Sequence, residues 1–464
     1  MTVIASISGI RGTIGGKAGE GLTPVDIVRY TAAYALQRRR RFSDKERICI
    51  VVGRDARISG DMVMRLVTGT LSACGADVID AGKATTPTTE MAVVISGADG
   101  GIILTASHNP KEWNALKLLD EKGEFLSDAD GKEIMEIASA ADFDFAPVTS
   151  IGSIAKRDFT REHIDAVLNY PLVDCEAVRK ARFKVVLDAI NSVGAIAMPP
   201  LLEALGVECI TINGTADGNF AHNPEPLPEN LRQLSEAVKA NGASLGISVD
   251  PDVDRLAFVC EDGTPFGEEY TLVAVADYYL GLKPGPTVSN LSSSRALRDV
   301  SEAHGCTYRF SKVGEKNVST LMQETGAVIG GEGNGGVIVP DFHYGRDALI
   351  GTALFLSHLA KKGCTASALR DTYPPYFISK NKIELGDTSA ADPVIDAVRA
   401  EFSDRKCDNS DGLRVDFEEE REWFVLRKSN TEPIIRIYAE ARDEAAAEAL
   451  AGRVIAIVNR KLGR

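Results

Sequence analysis

The chain has 464 residues, 44% hydrophobic and 25% charged, which is too long for one apolar core and predicts three or four globular domains. Its formal net charge of −14, from 52 Lys and Arg against 66 Asp and Glu, repels nucleic acid and anionic membrane, so neither is expected as a partner. An anionic ligand would need a local cluster of positive charge.

From the N-terminus, MTVIASISGIRG lacks a basic start leading into a long apolar segment. No later stretch stays apolar for the ~18 residues of a membrane span, so a cytoplasmic protein is expected. Gly9-Ile10-Arg11-Gly12 is a first small basic cluster. Thr23 and Pro24 open a helix that ends in Arg38 to Arg41, read as a solvated end complementing the helix dipole.

Short β-branched runs then alternate with helix-like segments, the pattern of strands joined by crossover helices. Six are clear: Glu46 to Asp55, Gly101 to Pro110, Phe183 to Ser192, Leu245 to Asp254, Pro286 to Ser294 and Gly326 to Gly336. Linkers are expected around Ala138 to Phe145, after Arg255 and at Thr372 to Phe377. Beyond Ser379 the segments EWFVLRKSN and IIRIYAE lead into an Ala-, Glu- and Arg-rich helix, which reads as an α+β domain. The eight cysteines are far apart, without zinc or redox spacing, and read as small reduced core residues. His163, His304 and His358 lie in helix-like contexts without a catalytic pattern.

Ligands of open parallel sheets bind at the carboxyl ends of strands, and the unusual polar clusters lie there. Thr105-Ala106-Ser107-His108-Asn109-Pro110 follows GIIL and reads as a tight turn presenting the Ser107 hydroxyl, although a plain polar loop looks the same. Asp250, Asp252 and Asp254 follow LGISV, and three alternating carboxylates there call for a hard cation, Mg²⁺ or Ca²⁺. An EF-hand is disfavoured because Arg255 stands where that loop needs Gly, and an aspartyl nucleophile is a minor alternative. Gly330 to Gly336 contains G-x-G-x-x-G but is followed by the strand-like VIVPDF, so it fails as a dinucleotide fingerprint. It reads instead as a flexible loop offering Glu332 and Asn334 to neutral hydroxyls. Arg427, Lys428, Ser429, Asn430, Thr431 and Arg436 supply the guanidinium, hydroxyl and amide donors that suit a phosphate dianion. The cluster Gly53 to Gly60, with Arg54 and Arg57, could meet a phosphoryl group or form structural ion pairs.

Together TASHNP, DPDVDR, GEGNGG and RKSNTEPIIR, in this order and from Ser8 to Glu440, resemble the α-D-phosphohexomutase superfamily of phosphoglucomutases, phosphomannomutases and phosphoglucosamine mutases. The resemblance implies four domains around a central cleft: three α/β domains with mixed sheets, at 1–150, 151–255 and 256–372, and a C-terminal α+β domain at 373–464. It implies that Ser107 carries the phosphoryl group and completes a site for one Mg²⁺ with Asp250, Asp252 and Asp254. Arg11, His108, Lys117 and Arg255 map around the transferring group, with Lys117 or His108 as base. Lys316, Glu332 and Asn334 map near the sugar, and Arg427, Ser429, Asn430, Thr431 and Arg436 map to the phosphate loop.

The implied reaction moves a phosphoryl group between the 6- and 1-positions of a hexose phosphate through a 1,6-bisphosphate, with glucose- or glucosamine-1,6-bisphosphate as activator. Glucosamine phosphate is the expected substrate, mannose or glucose phosphate the alternative, and a monomer or homodimer the expected state. The sequence departs from the common GE-x-SGH loop, with Asn334 for Ser and Gly336 for His, and has Ala115 where many members have Gly. A sugar-phosphate-binding regulator without turnover is the competing class, opposed by the retention of Ser107 with all three aspartates.

Overall fold

Ile50, Val51 and Val52 are fully buried, so this strand is covered on both faces and shows an unbroken apolar run instead of alternation. The computed structural model describes residues 4–6, 9–428 and 434–464. In it this run is a central strand of a seven-stranded mixed sheet, ordered Ile4–Ser6, Gly9–Thr13, Trp113–Leu119, Gly100–Leu104, Cys49–Arg54, Asp77–Lys83 and Ile154–Lys156. Helices Pro24–Arg41, Gly60–Ala73, Thr86–Ser96 and Asp128–Ala140 belong to this unit. The basic end of the first helix is not all solvated: Arg38 is buried and its Nη1 donates to Glu121 at 3.2 Å.

A second, four-stranded sheet runs Leu256–Cys260, Leu245–Val249, Lys184–Asp188, Glu208–Ile212. A third, of five strands, runs Tyr308–Ser311, Thr287–Asn290, Ile329–Glu332, Gly336–Val339, His343–Arg346. Their apolar cores are continuous, because Val185, Ile247 and Phe258 of one and Ile329, Val337 and Val339 of the other belong to a single buried cluster with helices Glu268–Leu282 and Ala348–Lys362. The fourth sheet is antiparallel, in the order Phe377–Glu384, Ile434–Ala441, Glu422–Lys428, Leu413–Phe417, Lys406–Asp408, backed by helices Ala391–Glu401 and Glu444–Lys461. Its other face places Trp423 and Val425 against Leu291 of the third unit.

Three of the six expected strand-helix units differ from the reading. Gly100–Leu104, Leu245–Val249 and Ile329–Glu332 each lead into an antiparallel neighbour, and the residues between are TASHNP, DPDVDR and the GEGNGG turn. A fully buried strand has the same pattern with either kind of partner, so the sequence does not separate them. The segment after Arg255 is therefore a strand, not a linker, and the second sheet runs past the residue-255 division to Cys260. Likewise Ile154–Lys156 carries the first sheet past residue 150 by pairing with Asp77–Lys83. Of the eight cysteines only Cys260 is fully buried.

Candidate active site

The three hairpin turns meet. In the first, Ser107 has φ +48° and is 8% exposed, a left-handed conformation that costs a non-glycine residue about 1–3 kcal/mol unless its surroundings fix it. The fixing groups are specific. Thr105 Oγ1 accepts the Ser107 N–H at 2.9 Å, and Arg57 donates to the carbonyls of Ser107, Asn109, Pro110 and Trp113 at 2.5 to 3.0 Å. Arg57 is itself held by Asp55 at 2.9 Å, and both side chains are fully buried. Of the two readings of the Gly53 to Gly60 cluster, Arg57 follows the structural ion pair.

In the second turn Val253 has φ +63°, an outlier for a β-branched residue, and the turn is closed because Asp250 Oδ1 accepts the N–H groups of Asp254 and Arg255, both at 3.2 Å. Asp250, Asp252 and Asp254 are fully buried, with ligand oxygens within 4.8 Å of one another. Asp252 Oδ2 accepts from Lys117 at 2.7 Å and from Thr86 at 2.7 Å. Asp254 Oδ2 accepts from Arg346 at 2.7 Å and from Lys117 at 3.3 Å. Asp252 Oδ1 and Asp254 Oδ1 have no hydrogen-bond partner among the described residues. Ser107 Oγ donates to Asp250 Oδ2 at 2.8 Å. Two orphaned buried carboxylate oxygens beside a third carboxylate and a hydroxyl form an all-oxygen donor set that suits Mg²⁺.

Burial and the charges of Asp254 and Asp252 push Asp250 well above the usual carboxylate range. Asp254 is held low, against the opposing effect of burial, by Arg346 and Lys117. Lys117 is pulled up, again against burial, by Asp252 and Asp254, so it rests as an ammonium. His108 Nδ1 is 3.4 Å from Ser107 Oγ, and burial with the Arg255 charge drives its pKa down to about 2, leaving a neutral imidazole. Burial and the charge of Arg255 lower Arg11, against the opposing effect of Asp252. Arg255 Nη1 is anchored by Glu225 at 3.0 Å.

The third turn approaches through glycine. Gly335 has φ +90°, its carbonyl accepts the Leu256 N–H at 3.1 Å, and a Cβ there would lie 2.3 Å from Leu256 O. Glu332 differs from the expectation of a loop residue open to sugar hydroxyls. It ends its strand, is 4% exposed, and accepts from Asn290 at 2.8 Å, Gly314 N–H at 3.0 Å and Arg346 at 2.7 Å. Against burial, these partners hold its pKa low. Asn334 is half-buried beside it, and Lys316 pairs with Glu124 at 2.9 Å.

On the fourth sheet Arg427 and Arg436 stand directly opposite in register, with Lys382 opposite Arg436 on the next strand. Directly opposed residues share a face, so three cations form a row. Ser429, Asn430 and Thr431 lie outside the described residues. His163 is buried between Thr88 Oγ1 and Asp347, His358 is buried against Tyr373, and His304 pairs with Asp277.

Arg346, Glu315 and Lys382 were not assigned to a site from sequence, and Arg57 was read only as part of the Gly53 to Gly60 cluster, not as the support of the Ser107 turn. Their partners are 14 to 92 residues away for Arg346 and 50 to 56 for Arg57, except Asp55. No local pattern marks Arg346, Glu315 or Lys382.

The comparisons with known proteins agree with this arrangement. The chain matches the phosphoglucomutase/phosphomannomutase alpha/beta/alpha domain I over residues 4–145, domain II over 161–263, domain III over 267–376, and the C-terminal domain over 385–457. A Thermococcus kodakarensis phosphoglucomutase/phosphomannomutase is 39% identical, covering 93% of this chain and 94% of its own. A Sulfurisphaera tokodaii phosphoglucosamine/phosphogalactosamine mutase is 33% identical, covering 89% and 91%. The solved structure of a phosphoglucomutase/phosphomannomutase family protein from Burkholderia thailandensis aligns with a TM-score of 0.84 at 27% identity, covering 99% and 98%.

Proposed function

The chain belongs to the phosphoglucomutase/phosphomannomutase family of the α-D-phosphohexomutase superfamily, and on that premise we propose that it interconverts the 6- and 1-phosphates of glucosamine through a phosphorylated Ser107. The observation that carries the reading is the Ser107 hydroxyl 2.8 Å from Asp250, on a fixed turn against three buried carboxylates. A binding protein needs no such nucleophile. The donor set favours one Mg²⁺ per chain on Asp250, Asp252, Asp254 and a Ser107 phosphate oxygen, where it would draw charge from the phosphoryl group.

In the first half-reaction the free sugar hydroxyl attacks phosphoserine, a new O–P bond forms, the Ser107 O–P bond breaks, and the hydroxyl proton returns to the serine oxygen. The resulting 1,6-bisphosphate turns round. The Ser107 hydroxyl then takes the other phosphoryl group, and its proton passes to the released sugar oxygen. Arg11, Arg255 and Lys117 compensate charge on the equatorial oxygens, the chief demand of phosphoryl transfer. His108 Nδ1, 3.4 Å from Ser107 Oγ, is the proposed carrier of the moving proton, a role that the negative charge of a phosphoryl group beside it would favour by raising its lowered pKa. Glu332, Asn334 and Lys316 serve the sugar, and Arg427, Ser429, Asn430, Thr431 and Arg436 the distal phosphate. Glucose- or glucosamine-1,6-bisphosphate restores a lost serine phosphate. No helix among the described residues is long and apolar enough to cross a membrane, and a cytoplasmic monomer or homodimer completes the proposal.

The amino-sugar reading is supported by the anionic Glu332 and by the Sulfurisphaera tokodaii relative. Phosphoglucomutase/phosphomannomutase is the second reading. It is favoured by the 39% identical relative and by Arg346, which already neutralises Glu332. Intact mass and a coupled assay test both levels: one phosphate per chain, lost in Ser107→Ala, is expected with turnover fastest on glucosamine phosphate. A protein without phosphate and without turnover after bisphosphate priming refutes the mutase, and equal rates on glucose, mannose and glucosamine phosphates refute a dedicated amino-sugar enzyme.

A further inference from the structure

Arg346 joins two loops of this site. It ends the strand His343–Arg346, is 6% exposed, and faces three carboxylates from three elements. Its Nη2 donates to Asp254 at 2.7 Å, its Nη1 donates to Glu332 at 2.7 Å, and its Nε lies 3.1 Å from Glu315 Oε2. Its N–H donates to Glu315 Oε1 at 2.9 Å, and Glu315 opens the helix Glu315–Thr325. A planar guanidinium reaches two carboxylates at fixed angle and spacing, which an ammonium cannot.

The path of the Arg346 side chain explains Gly336. A Cβ at 336 would lie 2.2 Å from Arg346 Cδ and 3.0 Å from its Cγ, and Gly336 carries no left-handed φ of its own to require glycine. The backbone there accepts any residue. The arginine does not. The space that a side chain at 336 would fill is occupied by Arg346, which reaches over from the end of the next strand in sequence.

Resting on the mutase reading, we infer that Arg346 is a positioning residue for sugar recognition, clamping Glu332 to Asp254 so that the sugar-facing turn and the metal-facing turn hold one spacing, with Gly336 as its required clearance. Tying Asp254 Oδ2 leaves Oδ1 as the oxygen without a partner, and tying Glu332 Oε2 fixes the face it shows the cleft. The clamp acts through these two residues, not by touching the transferring phosphoryl group.

The test is steady-state kinetics on the full chain, with calorimetric binding of glucosamine 1-phosphate as a readout independent of turnover. Arg346→Met is expected to raise KM and the dissociation constant at least about tenfold with a smaller fall in kcat, because ground-state and transition-state contacts are lost together. Gly336→Ala, which leaves the charge in place but displaces the side chain, should reproduce the effect. The double variant should be no worse than Arg346→Met, since residues acting as one unit are not additive. Arg346→Lys should recover part of the loss. Parent-like KM and binding in Arg346→Met or in Gly336→Ala, or effects that multiply in the double variant, overturn the clamp. Should Arg346→Met fail to fold, Gly336→Ala carries the test. Absence of turnover by the parent refutes the mutase reading instead, and the binding arm still decides the clamp.

Discussion

Ser107 donates a 2.8 Å hydrogen bond to Asp250 Oδ2 across 143 residues of sequence, joining two turns that each contain a left-handed non-glycine residue. Asp250 has a second task, since its other oxygen closes the Val253 turn through two N–H groups. The two tasks separate by mutation. Asp250→Asn keeps an acceptor oxygen for the turn but removes the charge, so phosphoryl transfer should fall more than about 1000-fold with stability within about 1 kcal/mol of the parent. Asp250→Ala strands both N–H groups and should cost an additional ~1–3 kcal/mol in urea denaturation. Equal stability of the two variants would remove the structural role.

Arg57 carries the Ser107 turn from beneath. Its five donors are spent on Asp55 and four carbonyls, and the Phe220 ring lies 5.1 Å from its guanidinium carbon. Arg57→Ala leaves Asp55 as a buried unpaired charge and is expected to destabilise by about 3–5 kcal/mol. Arg57→Lys cannot span four carbonyls, so it should fold yet lose about 10- to 100-fold in kcat as the Ser107 turn loosens. Unchanged kcat in Arg57→Lys would mean that the turn holds its geometry unaided.

The parts of the candidate site legible in the sequence are those where unusual residue types lie together, Ser107 before Asn109-Pro110 and three aspartates alternating after LGISV; Arg427 with Arg436 is legible in the same way as a proposed phosphate cluster. The supporting cations were not legible. HYGRDA reads as an ordinary strand end, and nothing local shows that Arg346 meets Asp254, 92 residues earlier. Glu332 was readable as a site residue but not as a buried, occupied carboxylate, because that depends on Asn290 and Gly314 from other parts of its domain. The alternating α/β units and the different character of the tail beyond Ser379 were also legible from the strand runs, whereas the division into four domains came with the family resemblance. The antiparallel partners after the three motif strands were not, since burial on both faces erases alternation.

Glu440 predicts a pH dependence away from the three-aspartate cluster. It lies on the fourth sheet, and its Oε1 accepts from Trp423 Nε1 of the neighbouring strand at 2.7 Å and, across the contact with the third unit, from Arg295 N–H at 2.8 Å. Oε2 has no hydrogen-bond partner among the described residues; the Arg414 charge opposes the rise of Glu440, and Glu440 in turn raises the buried Glu269. Burial raises Glu440 from its ordinary 4.5 to about 7. A raised carboxyl keeps its proton in the folded chain while the unfolded chain loses it, so between pH 4.5 and about 7 this group makes stability fall as pH rises. Above that window the full cost is present. Glu440→Gln keeps the Oε1 acceptor without the charge, and should raise the unfolding temperature by a few degrees at pH 8 while changing little at pH 5. An equal shift at both values would exclude ionisation of Glu440 as the cause.

The row of Lys382, Arg436 and Arg427 gives the fourth unit its cationic face, and Lys382 is the member that no local motif marks. Arg427 is tethered to Asp411 at 2.8 Å, and Asp411 also accepts the Val313 N–H at 3.0 Å, which ties this end of the sheet to the third unit. Arg436 and Lys382 are exposed, so they add attraction for a phosphate dianion at little desolvation cost. Removing one exposed cation should weaken ground-state and transition-state binding alike. Lys382→Met is therefore expected to raise KM for the sugar phosphate about three- to tenfold with kcat within about twofold. The difference should shrink at about 1 M salt, where screening reduces the range of a surface charge to roughly 3 Å. A fall in kcat at constant KM would instead place Lys382 at the transferring phosphoryl group, and no change in either constant would remove it from the phosphate site.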